Sequence, residues 1–259
     1  MNNTLLLSAG YALAALIALA VVAWVVSYVK HDVSIVDSVW SLLILLAAGV
    51  YATTLDASAT RAVVILVLTT LWAMRLALYI TARNWGESED RRYQAIRARN
   101  QPGFEWKSLY LVFVLQAVLA WIVSLSLLAA NNSVSAWTWL DTLGALVVLF
   151  GLLFEATADW QLSRFKANAT NHGQVMNRGL WRYTRHPNYF GEFCVWWGFF
   201  LIALAAGGWW AVVSPLLMSM LLLKVSGVTL LEQDIGERRP GYRDYILRTN
   251  AFFPGLPKS

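Results

Sequence analysis

The sequence predicts an all-α, polytopic membrane protein of seven transmembrane helices, with its N-terminus outside and its C-terminus in the cytoplasm. Three observations predict it. Of 259 residues, 58% are hydrophobic and only 14% are charged, where a soluble domain carries roughly 25% charged residues. The apolar residues gather in runs of about 20, the length that crosses a bilayer core. The 20 Lys and Arg are sorted into alternate loops. The same figures exclude a soluble globular enzyme and a disordered chain. With 16 Gly and one Cys, Cys194, collagen-like and disulfide-rich classes fail as well.

The spans follow in order. Leu5 to Val29 is uncharged and stops at Lys30-His31-Asp32. It lacks a basic leader and is too long for a signal-peptide core, so it is expected to remain as the first helix. Ile35 to Thr54 is apolar except for Asp37, and Ala62 to Ala82 except for Arg75. Ser108 to Leu140 is free of charge and holds a fourth span before an Asn131-Asn132-Ser133 turn. Leu140 to Asp159 is the fifth. Glu192 to Ala206 and Trp209 to Leu231 are the last two, split by Gly207-Gly208. Arg61 falls on the opposite side, and Arg75 and Lys224 fall inside spans. The other 17 basic residues all lie in loops on one side, which the positive-inside rule assigns to the cytoplasm.

Charge within a bilayer is costly, so Asp37, Arg75, Glu155, Asp159, Glu192, Lys224 and, at the last span's edge, Glu232 are candidate functional residues. Lys224 can snorkel to the interface. Arg75 can snorkel or meet Asp37. Asp37, Glu155 and Asp159 are too short to snorkel and call for a polar cavity. Glu155 and Asp159 share a helix face four residues apart, which suits a donor-rich ligand such as a ribose or an amide between them.

The densest polar segment runs from Asn177 to Glu192 and carries Arg178, Arg182, Arg185 and His186 among four aromatics. Pro187 ends any helix before it and can open the next, whose free N–H groups then face the basic loop. That pattern fits a polyphosphate, or anionic lipid headgroups. In the tail, Tyr242, Tyr245 and Arg248 share one helical face, a binding wall or an amphipathic helix lying on the membrane. No GxGxxG or Walker loop is present. His172, His186 and Cys194 are too few and too scattered for a metal site. No nucleophile elbow is present, and basic residues confined to a membrane face exclude nucleic acid.

Gly179, Leu180, Tyr183, Asn188, Gly191 and Glu192 fall on a pattern that resembles the C-terminal signature of the steroid 5-alpha-reductase family. Further segments are similar to the bacterial branch of that family, so the likeness spans nearly the whole chain. They are Ser34 to Asp37 with Trp40; Arg83 to Gly86 with Glu89, Asp90, Arg92 and Tyr93; Leu230 to Glu232; Pro240 to Tyr245; and Arg248 to Pro254. The resemblance implies one membrane domain over 1–259 that uses NADPH. Helices one to four (1–130) would admit a lipophilic enone or steroid, and helices five to seven with loop and tail (137–259) would hold the cofactor. Asn188 and Glu192 would contact the nicotinamide. Asp159, Arg164, Tyr183, Arg185, His186, Tyr245 and Arg248 would hold ribose, phosphates or adenine, joined by Lys166, Leu180, Tyr189, Glu232 and Tyr242. Gly179 and Gly191 would permit close approach.

The reaction implied is hydride transfer to C5 of a 3-oxo-delta-4 steroid or a similar enone, while an acid polarises the ketone. The family's eukaryotic members use a Glu on helix two and a Tyr on helix three. This chain offers Asp37 and Trp40, then Trp72, Arg75 and Tyr79. The expected acid is therefore Asp37, kept neutral by burial and helped by Trp40 or Tyr79, with Glu192 orienting the cofactor amide. A second resemblance, at Arg185 to Gly191 and Glu232, is to the isoprenylcysteine carboxyl methyltransferases, which use S-adenosylmethionine. The cationic excess favours the phosphate-bearing NADPH. A transporter would need polar groups midway through the bilayer, whereas these gather at one end. The expected setting is a monomer among the lipids of a bacterial inner membrane.

Overall fold

The computed structural model describes residues 3–225, 232 and 241–258, and those residues contain helices and no strand. The helices are α1 (Asn3–Lys30), α2 (Ile35–Thr54), α3 (Ala59–Asn84), α4 (Arg91–Arg99), α5 (Phe104–Ala130), α6 (Trp139–Ala167), α7 (Pro187–Ala205), α8 (Val213–Met220) and α9 (Tyr242–Arg248). Six of them, α1, α2, α3, α5, α6 and α7, are long and apolar enough to cross a membrane. The chain is thus an all-helical, multi-pass membrane protein. The predicted seventh span begins with a 3₁₀ turn (Trp209–Val212), α8 and a π turn (Leu221–Val225). Its remaining stretch to Leu231 lies outside the described residues, as do Leu230, Arg238, Arg239 and Pro240 of the tail.

The predicted spans differ from the helices mainly at their ends. α6 continues eight residues past the expected Asp159, because Trp160 to Ala167 contains no helix breaker. It therefore carries Glu155, Asp159 and Arg164 on one rod. Pro187 does open α7, five residues before the expected Glu192. α5 is not regular: a π turn spans Leu109–Val114 and the helix is interrupted at Ser124.

The chain divides into two compact units, 1–141 with 202–214, and 142–201 with 215–259. In the first, α1, α2, α3 and α5 run alternately up and down. α1 is apolar all round, as a lipid-facing helix must be. It buries a stripe of small residues, Ala9, Ala12, Ala20, Ala23 and Ser27, and exposes Leu6, Val22, Val25 and Val29.

One end of this unit is stitched by polar bonds: Val33 N–H donates to Glu89, Asp90 N–H to the Ser34 hydroxyl, and Arg97 to the His31 carbonyl. At the other end Arg61 and Asp141, both fully buried, pair at 2.8 Å. Arg61 also donates to the carbonyls of Ser135 and Ala136, and the Thr138 hydroxyl donates to Asp141. The sequence offers Arg61 only as the lone cation of its side; the structure gives it a partner.

In the second unit α6 and α7 meet through glycines. A Cβ on Gly151 would stand 2.5 Å from the Gly191 carbonyl oxygen, and one on Gly191 would stand 2.7 Å from Glu155 N. One turn pair further along, a Cβ on Gly198 would stand 2.8 Å from the Gly144 carbonyl oxygen. The two helices thus touch backbone to backbone at residues seven apart on each.

Candidate anion-binding site

The loop after α6 folds back onto that helix. Trp181 Nε1 donates to the Ala158 carbonyl and Leu180 N–H to Gln161 Oε1. Gly179 takes φ +58°, and a Cβ there would lie 2.5 Å from Gln161 Oε1. The close approaches at Gly179 and Gly191 are therefore made to α6. Gly191 faces α6, and Gly179 also lines the cavity that loop and tail enclose.

The loop then meets the tail. Arg185 N–H donates to the Asn250 carbonyl, the Thr184 hydroxyl to the Phe252 carbonyl, and Gly255 N–H to the Tyr183 carbonyl. The Tyr245 hydroxyl donates to the Trp181 carbonyl. The predicted helical face forms in α9, where the Tyr242 and Tyr245 rings pack edge-on at 5.4 Å and both are buried.

Loop and tail enclose a cavity of about 680 Å³ lined by Asn177, Arg178, Gly179, Arg182, Gly241, Asp244, Tyr245, Arg248, Thr249, Pro257 and Lys258. That volume lies within the range of ligand pockets, about 300–1,000 Å³. Four cations, Arg178, Arg182, Arg248 and Lys258, face it against one acid, Asp244. Arginine forks suit phosphate oxygens bidentately. The residues present therefore fit a ligand with more than one phosphate charge.

Gly179, Tyr245 and Arg248 from the sequence-derived set line this cavity. Arg185, His186 and Glu232 form a separate cluster. Arg185 donates to both Glu232 oxygens at 2.7 and 2.8 Å and also to the Ile246 and Thr249 carbonyls. His186 Nε2 lies 2.9 Å from Glu232, and Tyr242 donates to the same carboxylate. Burial alone would raise the Glu232 carboxyl, but the bonds from His186 and Arg185 bring it down to about 2. Arg185 thus holds the tail.

Tyr189 stacks on His186 with ring centroids 5.6 Å apart, and Tyr183 is exposed. Asn188 sits in the first turn of α7, with Glu192 buried one turn on. On α6, Asp159 is buried, the Arg164 guanidinium lies 5.5 Å from the Trp160 ring, and Lys166 is exposed.

In the first unit Asp37 accepts at 2.6 Å from Arg92 Nη2 and at 2.6 Å from the Tyr93 hydroxyl. Burial, then the Asp37 charge, push the Tyr93 phenol well above its usual range. Asp37, accepting on both oxygens, ties α4 to the start of α2. Arg92 and Tyr93 stand in the quoted Glu-Asp-x-Arg-Tyr segment, yet only the fold shows them as Asp37's partners. The Arg83 guanidinium lies 6.0 Å from the Tyr79 ring, and Trp40 is partly exposed on α2. A smaller cavity of about 260 Å³ in this unit is lined by Ser34, Ile35, Ser38, Thr81 and Trp85 among others.

The sequence points to Arg178, Arg182 and Thr249 but not to Asp244 and Lys258 as their companions. The only signal for Lys258 was its charge. Among the described residues no group of three or more His, Cys, Asp or Glu could hold a metal ion.

Fold and site together define a multi-pass membrane protein with a basic, phosphate-compatible cavity built from loop and tail. The chain belongs to the family described as "protein of unknown function (DUF1295)", whose profile matches residues 23–249. It is 26% identical over 268 residues to an uncharacterized protein of Schizosaccharomyces pombe, covering 92% of this chain and 77% of that one. No solved structure matches the chain.

Proposed function

We propose that the protein is a membrane reductase that uses NADPH to reduce the C4–C5 double bond of a 3-oxo-delta-4 steroid or a similar lipophilic enone. The observation that carries this reading is the cavity with four cations against one acid, because NADPH bears three phosphate groups. Arg178, Arg182, Arg248 and Lys258 would hold those phosphates, and Tyr245 offers a ring edge at the same wall. When bound, the cofactor supplies the hydride. The protein's part is binding, orientation and the exclusion of water.

The acid that polarises the ketone must bring a proton. Asp37, Trp40 and Tyr79 are the donors to substitute, with Glu192 as the residue that would orient the nicotinamide amide. We also infer a seventh span through Leu231, an outside N-terminus, a cytoplasmic basic face, and a monomer working in a bacterial inner membrane. The test is turnover by purified protein in lipid. A 3-oxo-delta-4 steroid with NADPH should yield the saturated ketone by mass spectrometry with matching loss of NADPH. Absence of product across a panel of lipophilic enones would reject the reaction.

One observation favours a second reading. Glu232 lies 46 and 47 positions from the adjacent His186 and Arg185 yet meets both in space, and these three are among the residues on which the likeness to S-adenosylmethionine-dependent methyltransferases rests. Methyl transfer from labelled S-adenosylmethionine to a lipid or prenylated substrate would select it.

A further inference from the structure

We propose that the end of the docked tail, Pro257 and Lys258, is a wall of the phosphate site and that Lys258 is a phosphate-binding residue in it. The inference rests on reading the cavity as a site for phosphate. Lys258 is not a loose end. Its backbone N–H donates at 2.8 Å to the carbonyl of Arg248, which lines the same cavity.

The tail before it is fixed at three further points, through the Asn250 carbonyl, the Phe252 carbonyl and Gly255 N–H. Phe252 is buried, with its ring 5.5 Å from Phe193 and 6.1 Å from Phe190 on α7, edge-on to both. Burial of an aromatic ring against two others stabilises the docked position well beyond what a mobile end could hold. The docked tail sets a lysine opposite Arg178 and Arg182 of the loop, so three separate stretches of chain bring cations to one volume. A phosphomonoester or pyrophosphate, with more than one negative charge, matches that convergence better than a phosphodiester headgroup with a single charge. The ligand class is therefore a soluble phosphate ester or anhydride, NADPH among them.

The test uses the full chain purified in detergent, with thermal shifts titrated against pyrophosphate, 2',5'-ADP, NADPH and, separately, phosphatidylglycerol vesicles. The variants are Lys258→Glu, Lys258→Arg and, as a control for overall charge, Arg91→Glu, which is exposed on α4 in the other unit. Loss of one charge-assisted phosphate contact should weaken the soluble phosphates about tenfold or more in Lys258→Glu. Lys258→Arg should restore most of the affinity, and Arg91→Glu should bind like the unsubstituted protein. Unchanged affinity in Lys258→Glu, or an equal loss in Arg91→Glu, would overturn the tail's role.

The outcomes separate this inference from the cofactor reading. Pyrophosphate and 2',5'-ADP binding that depends on Lys258, with no NADPH binding, keeps the tail and removes the cofactor. NADPH binding indifferent to Lys258 does the reverse. Stabilisation by vesicles alone makes this a lipid site and overturns the soluble ligand, and no shift with any probe overturns the site.

Discussion

Arg178 and Arg182 bring two cations to one cavity from positions four apart in a single loop. A hydrogen bond to a charged partner contributes about 1.5–3 kcal/mol, and about 1.4 kcal/mol is tenfold in affinity. Arg182→Ala is therefore expected to weaken NADPH binding about tenfold or more by calorimetry, with little change in melting temperature. Arg61 makes the opposite case. Its pairing with Asp141 is fully buried, and removing one partner of such a pair costs about 3–5 kcal/mol. Arg61→Ala should lower the melting temperature sharply without touching ligand affinity, and Arg61→Met with Asp141→Leu should recover much of the loss. Asp37 stands between these cases, being partly exposed and holding α4 through Arg92 and Tyr93. Asp37→Asn should cost about 1–2 kcal/mol of stability, read by thermal melting, and Tyr93→Phe, which removes one bond to Asp37, should cost about 1 kcal/mol. At this scale the sequence singles out Asp37, Arg178, Arg182, Tyr245 and Arg248. It does not show that Arg185 is held by Glu232, because residue spacing says nothing of which charges meet across 47 positions.

Helix α6 and helix α7 touch where Gly144 and Gly151 face Gly191 and Gly198. A Cβ on Gly151 would stand 2.5 Å from one backbone atom and 2.7 Å from another, and neither can rotate away. Gly151→Ala should destabilise the protein by more than about 1 kcal/mol, read as a lower melting temperature, whereas Ala at the open position Gly10 should not. The seven-residue spacing of these glycines is visible in the sequence, but only the packing shows that they face each other.

The tail is held differently, through Glu232. Its carboxyl ionises at about 2 against an ordinary 4.5, a depressed value. The stability it adds is fully present above about 4.5 and fades as pH falls towards about 2. In that window proteolysis of the tail should rise with acid, and Glu232→Gln should be susceptible already at neutral pH. Span positions were legible because bilayer length dictates them. The π turn in α5 was not, since it does not follow from hydropathy.

For the molecule as a whole, scarce charge is the organising fact. The apolar rods belong to the membrane, as the six long helices bear out. The four cations of the cavity come from stretches far apart in sequence, positions 178–182, 248 and 258, which composition counts as one undifferentiated basic excess. Membership of the DUF1295 family leaves the chemistry to be decided by what the cavity binds. The most direct measurement is the melting temperature of the purified protein with NADPH and, in parallel, with S-adenosylhomocysteine, each at low and high salt. A ligand at a hundredfold excess over its Kd stabilises by about 2.7 kcal/mol. The phosphate reading predicts a clear rise with NADPH that shrinks with added salt, and none with S-adenosylhomocysteine. A rise with S-adenosylhomocysteine and none with NADPH would contradict it.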